Sequence, residues 1–230
     1  MIHLVFDVVA IFSSIAINHW FRKKYHISHS LNKNDSIYYW YLLILVFGLV
    51  IFAFLFGTLN IYLSGYKGIG KSFLGGILGA ILCIEVFKKV KGYKASTGLY
   101  YVPGICALII IGRLGCFLSG MDDFTYGIPT QLALGYDFGD GVRRHPVQLY
   151  ESFSLGLFLI IFLSTFKKHQ GLWETKGFYL FIFFYASQRL IWEFFKPYAT
   201  LFFSLNLFQF LTILLIIWSL YKFTSQSYAQ

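Results

Sequence analysis

Three stretches of the chain hold arginine, histidine, carboxylate and phenol groups at intervals suited to chemistry on an anion. In "YASQRLIWEFFK", Tyr185, Arg189 and Glu193 recur every four residues, so a helix would project a phenol, a guanidinium and a carboxylate from one face. In "GRLGCFLSG", Arg113 follows the apolar run from Ile105 to Ile111, and Gly112 and Gly115 beside it remove side-chain bulk, letting a helix or a lipid headgroup come close. In "RRHPVQLYES", Pro146 suits a first helical position and His145 falls near the cap, where anions are favoured. Gln148 and Glu151 share a face of that helix, while Tyr150 points elsewhere. Arginine's planar fork binds phosphate or carboxylate in a bidentate way and stays ionised when partly desolvated, so the implied chemistry is recognition of such a group. The same residues also suit plainer roles: an internal Arg189–Glu193 ion pair, and Arg113 bonding carbonyls at a broken helix end.

The elements that must position these groups are membrane helices. Of 230 residues, 57% are hydrophobic, 21% aromatic and 13% charged, with mean hydropathy +0.65, whereas about 25% charged is usual in a soluble domain. Apolar segments run approximately from Ile2 to Phe21, Ile37 to Phe56, Ser72 to Phe87, Leu99 to Leu118, Val147 to Phe166, Gly177 to Phe195 and Leu201 to Phe223. Each approaches the roughly 20 residues a bilayer-spanning helix needs. The expected fold is an all-α integral membrane protein, one polytopic domain over residues 1–230 with seven transmembrane helices and an extramembrane active-site loop at about 119–146. The first segment has no charged region before it and no small-residue cleavage site after it, so it reads as a retained helix.

Lysine and arginine concentrate in cytoplasmic loops. With the N-terminus outside and the C-terminus cytoplasmic, 12 of the 19 basic residues fall inside. Four of the five arginines, Arg113, Arg143, Arg144 and Arg189, are among the exceptions. Arginines gathered on the side the rule depletes suggest an anionic ligand, or pairing with Asp122, Asp123, Asp137, Asp140 and Glu193 nearby.

A net charge of +9 would suit nucleic acid, but basic residues scattered between apolar runs make no continuous stripe, so none is expected as a partner. Cys83, Cys106 and Cys116 show no paired spacing, so neither a zinc site nor a disulfide framework is indicated. Cys116 has no evident base beside it and reads as a small buried thiol. Asp7 is read as having no basic residue at helical spacing and is expected to face the bundle interior. "GYKGIG" lacks the strand and fingerprint of a phosphate loop, and Gly75, Gly76 and Gly79 in "GGILG" read as a helix-packing face.

"GRLGCF", "RHPVQLYE" and "YASQRLIWEFF", in this order and with these gaps, resemble the prolipoprotein diacylglyceryl transferases, over most of the chain. The resemblance implies a seven-helix bacterial inner-membrane enzyme with an outside N-terminus. It would move the diacylglyceryl group of phosphatidylglycerol to the thiol of a lipobox cysteine, releasing glycerol 1-phosphate. Arg113, Gly112, Gly115 and Phe117 match the family's G-R-x-G-N-F signature, His145 to Glu151 its H-P-x-Q-L-Y-E segment, and Tyr185 and Arg189 a functional pair. Departures are Cys116 and Ser119 where asparagines are usual, Met121 where a functional Glu is expected, and Leu74 where a functional His is expected. The expected phosphate and lipid contacts are Arg113, Arg189, Arg143, Arg144, Gly112, Gly115 and Gln148. Expected catalytic groups are His145, Asp122, Asp123, Glu151 and Tyr185, with no metal or other cofactor. Partners would be phosphatidylglycerol or another anionic glycerophospholipid and a lipobox prolipoprotein, with the protein monomeric. A non-catalytic anionic-phospholipid binder, or a related transferase with another acceptor, is the alternative.

Overall fold

The structure, a computed structural model, describes residues 2–27, 31, 35–93 and 96–225, without the Asp123 side chain. Its helices are α1 (Ile2–Tyr25), α2 (Ser36–Leu63), α3 (Phe73–Lys91), α4 (Val102–Leu118), α5 (Val147–Thr165), α6 (Gln170–Glu193) and α7 (Leu207–Ser225). Two small antiparallel hairpins join them, β1 (Tyr136–Asp137) with β2 (Arg143–Arg144) and β3 (Thr200–Phe202) with β4 (Leu205–Asn206). α1, α2, α5, α7 and the stretch Leu99–Leu118 containing α4 are five helices long and apolar enough to cross a bilayer. This is the architecture of an all-α membrane protein. α3 and α6 fall short of that apolarity because Glu85, Lys88, Lys89 and Lys91 lie on one and Glu174, Lys176, Arg189 and Glu193 on the other.

Local chemistry sets the helix ends. Asp35 Oδ1 accepts from the Ile37 N–H at 3.1 Å to start α2, and Ser72 Oγ accepts from the Gly75 N–H at 3.1 Å to start α3. Gly92, at φ +73°, closes α3 after lysines that suit the negative end of its dipole. α7 begins at Leu207, not Leu201, because Asn206 and Gln209 cap each other. The Gln209 N–H donates to Asn206 Oδ1 at 2.9 Å and the Asn206 N–H to Gln209 Oε1 at 2.7 Å. The apolar residues before that cap turn back on themselves as β3 and β4. α6 begins seven residues before the expected Gly177, since Gln170 and Glu174 bond one turn apart at 2.7 Å and the helix runs on past the apolar stretch.

The helices pair α2 with α3, α1 with α4, α4 with α5 and α6 with α7. Glycine permits the first pairing: a methyl group at Gly48 would stand 2.6 Å from the Gly79 carbonyl. The main core gathers Phe21, Leu74, Val102, Leu155, Phe162, Phe181 and Leu215. The outward faces of α1 and α2 leave Leu4, Phe12 and Phe47 bare, surfaces that acyl chains cover better than water does. On the loop between α4 and α5, Gly127 N–H donates to the His145 carbonyl at 3.0 Å. The Ile128 N–H reaches the Phe195 carbonyl at 2.7 Å, tying this loop to the end of α6.

Candidate active site

Helical spacing puts Tyr185, Arg189 and Glu193 on one stripe of α6. The neighbouring helices then bring Arg113 from α4 and Glu151 from α5 against it. Arg113 Nε meets Glu151 Oε2 at 2.5 Å, Arg189 Nη1 donates to Glu151 Oε1, and Arg189 Nη2 meets Glu193 Oε1 at 2.5 Å. Lys196, just beyond α6, donates to Glu151 Oε1 at 2.7 Å and lies 3.4 Å from Glu193 Oε1. Asn206 Nδ2 completes the set with a bond to Glu193 Oε2 at 3.3 Å. Glu151, Arg189, Glu193 and Lys196 are buried, and the Arg113 side chain is 12% exposed.

The cluster is charge-dense and unbalanced. Three cations face two carboxylates, leaving one positive charge in a water-poor setting where uncompensated charge is costly. Around it, the Tyr185 hydroxyl, Arg189 Nε and Gln148 Oε1 are buried with no hydrogen-bond partner among the described residues. A surplus cation beside two idle donors, the Tyr185 hydroxyl and Arg189 Nε, is suited to an anion bearing several acceptor oxygens. Burial pulls the Lys196 ammonium below the ordinary lysine range and Arg189 adds to the pull, while Glu151 and Glu193 oppose it. Burial also holds the Tyr198 phenol far above its usual value, so it stays neutral.

The internal Arg189–Glu193 pair is present, and it is one edge of a larger cluster. Arg143 and Arg144 are not part of it. Arg143 donates through Nη2 to the Ala133 carbonyl at 2.9 Å and through Nε to the Gly135 carbonyl at 3.2 Å. Arg144 pairs with Asp140 at 2.5 Å, which holds the Asp140 carboxyl below its usual range. Both guanidiniums serve the β1–β2 loop. His145 is buried against the Phe195 ring, and its Nδ1 shares a 3.3 Å hydrogen bond with the Tyr150 hydroxyl. Gln148 Nε2 donates to Thr125 Oγ1 at 3.3 Å. A Cβ on Gly112 would meet nothing within 4 Å, whereas one on Gly115 would stand 2.5 Å from Phe6 Cβ, so Gly115 serves the α1–α4 contact. Asp122 is exposed on the turn Gly120–Asp123, and the Asp123 side chain lies outside the described residues. Leu74 is buried in the apolar core.

Two expectations are corrected. Asp7 does not face the interior: its side chain is 46% exposed and pairs at 3.1 Å with His3, one turn earlier. Cys116 is buried but has a base beside it, because His3 Nε2 lies 3.6 Å from Sγ. Sequence reasoning also misses Lys196, for which its place three residues after Glu193 is the available signal.

The model of one family, described as prolipoprotein diacylglyceryl transferase, matches residues 4–224. A phosphatidylglycerol–prolipoprotein diacylglyceryl transferase of Rickettsia bellii (strain OSU 85-389) is 34% identical over 172 residues, 69% of this chain and 62% of that protein. The protein of that name from Chlorobaculum tepidum is 32% identical over 169 residues, 70% of this chain and 56% of its own length. The one from Aliarcobacter butzleri is 28% identical over 208 residues, covering 82% and 73%. The chain thus spans about three-fifths of the length of the first two relatives. With nearly its whole length matched, the chain belongs to the prolipoprotein diacylglyceryl transferase family.

Proposed function

We propose that this protein transfers the diacylglyceryl group of phosphatidylglycerol to the cysteine thiol of a prolipoprotein at the outer face of the bacterial cytoplasmic membrane. The observation that carries the reading is the buried cluster with its surplus positive charge. Arg113 and Arg189 hold the lipid phosphate, Gly112 leaves room for the headgroup, and Gln148 and Tyr185 offer further polar contacts. As the acceptor sulfur bonds to the glyceryl carbon, the carbon–oxygen bond to phosphate breaks. The leaving glycerol phosphate keeps the electron pair, and the fixed guanidiniums stabilise the charge that develops there. Glu151 fixes both arginines in place. Arg143, Arg144, Asp122, Asp123 and His145 border the entrance on the α4–α5 loop. All seven helices span the membrane in this reading, the N-terminus is outside, the C-terminus is cytoplasmic, and the protein acts as a monomer.

The test is incubation of the purified protein in phosphatidylglycerol bilayers with a lipobox peptide, followed by mass spectrometry of the peptide and release of glycerol phosphate. Arg189→Lys keeps the charge and loses the fork. A buried charged hydrogen bond contributes about 1.5–3 kcal/mol, so transfer should fall roughly 10- to 150-fold. Unchanged transfer would remove the arginine from the mechanism, and lipid binding without any transfer favours the non-catalytic binder, for which Leu74 in an apolar core speaks. A reporter fused at the C-terminus tests the topology, and activity outside the cell overturns it.

A further inference from the structure

We propose that Asp7, His3 and Cys116 form a proton relay that deprotonates the acceptor thiol, an inference that rests on the transferase reading. His3 Nδ1 lies 3.1 Å from Asp7 Oδ2. A carboxylate accepts, so Nδ1 carries the proton and Nε2 is left as the acceptor. Nε2 in turn lies 3.6 Å from Cys116 Sγ, and Arg113 Nη1 donates to the same sulfur at 3.9 Å. The same Arg113 bonds Glu151 at 2.5 Å, so the relay abuts the anion cluster. The groups meeting the imidazole include Asp7 on its own helix, Cys116 on α4 and, beyond that sulfur, Arg113. The contact of Phe6 with Gly115 brings α1 against α4 and so sets His3 beside Cys116.

Carboxylate, imidazole and thiol in line, with a guanidinium beside the sulfur, are the parts of an activated thiol. In the transfer step, Cys116 has passed its proton to His3 Nε2, and the imidazolium is held by Asp7. The Cys116 thiolate takes the proton of the acceptor thiol as that sulfur attacks the glyceryl carbon. The carbon–oxygen bond to phosphate breaks with its electron pair on the departing phosphate. Cys116 is again a thiol, and His3, with its side chain 40% exposed, releases one proton to water. Proton transfer from the acceptor thiol to Cys116 is uphill by about the tenfold activation the relay confers, and attack on carbon, which consumes the acceptor thiolate, draws it forward. Asp7 acts through His3 and is a positioning residue.

Two measurements on the full chain in phosphatidylglycerol bilayers test this. The first follows alkylation of the Cys116 peptide by iodoacetamide across about pH 5 to 9. His3→Gln should slow it at least tenfold at neutral pH and move its rise to the free-thiol range near 8.5. Equal alkylation in wild type and variant, or no alkylation of Cys116 in either, overturns the proposal whatever the transfer assay shows. The second is transfer: His3→Gln and Cys116→Ser should each lower kcat by roughly 10²- to 10⁴-fold with little change in KM for the lipid, with Asp7→Asn in between. Undiminished kcat in either of the first two variants also overturns it. A wild type that transfers nothing defeats the transferase reading, and alkylation then decides the activated thiol alone.

Discussion

Replacing Glu151 by glutamine removes the carboxylate on which Arg113, Arg189 and Lys196 all converge while preserving its shape. Arg189 and Lys196 retain Glu193, but Arg113 loses its carboxylate partner among the described residues, and the cluster goes from one surplus positive charge to two. Attraction between unit charges about 4 Å apart is about 4 kcal/mol at an effective dielectric near 20, and desolvation offsets much of it. Removing one partner of a buried pair typically costs roughly 3–5 kcal/mol, because the stranded charge stays buried. Glu151→Gln should therefore lose about 3–5 kcal/mol of unfolding free energy in neutral detergent. Phosphatidylglycerol should restore part of that loss, since a bound phosphate supplies the missing negative charge, whereas phosphatidylcholine should restore less. Chemical denaturation of wild type and variant in both lipids is the assay. A variant as stable as wild type, or one restored equally by both lipids, would refute the picture of a cation-rich cluster awaiting an anion.

Lys196 supplies a pH dependence. Its folded value lies below the ordinary lysine range, so over the interval between the two the unfolded chain binds more protons, and stability rises with pH. Loss of that proton also removes one positive charge, so affinity for anionic lipid should drop at a pH below the usual lysine value. Titrated lipid binding checks this, and a flat profile up to the ordinary value would count against it. Leu74→His places a polar ring in an apolar core and should cost about 1–3 kcal/mol. Thermal unfolding reads the change, and undiminished stability would mean that the position is wet.

The parts of the site that follow helical period are legible in the residues themselves. Tyr185, Arg189 and Glu193 share a face because their spacing matches one turn. What period does not encode is which helix lies opposite. Arg113 and Glu151 are 38 positions apart, and their contact depends on α4 packing against α5. His3 and Cys116 meet because Phe6 fits against the bare backbone of Gly115, a matter of shape that residue types do not announce. At Arg143 and Arg144 composition leaves two readings open, an anionic ligand or pairing with nearby acids. In the structure backbone carbonyls and Asp140 of their own loop take them up. Likewise the apolar run from Leu201 reads as helix until the Asn206–Gln209 cap puts the start at Leu207.

The way charge is shared among the helices bears on how the chain enters the membrane. Arg113 reaches the bilayer before Glu151 has been made, and an arginine near the centre of an apolar helix costs about 2.5–3.5 kcal/mol on insertion scales. α4 and α5 cancel each other's charge when they insert as a hairpin, and on α6 Arg189 and Glu193 cancel within one helix. In the proposed seven-span arrangement, each unit handed to the lipid is then close to neutral. Lys196, which carries the surplus charge, lies beyond the end of α6 and is the last of the five ionised groups to be synthesised. Assembly order therefore adds the positive excess only after both carboxylates of the cluster are in place.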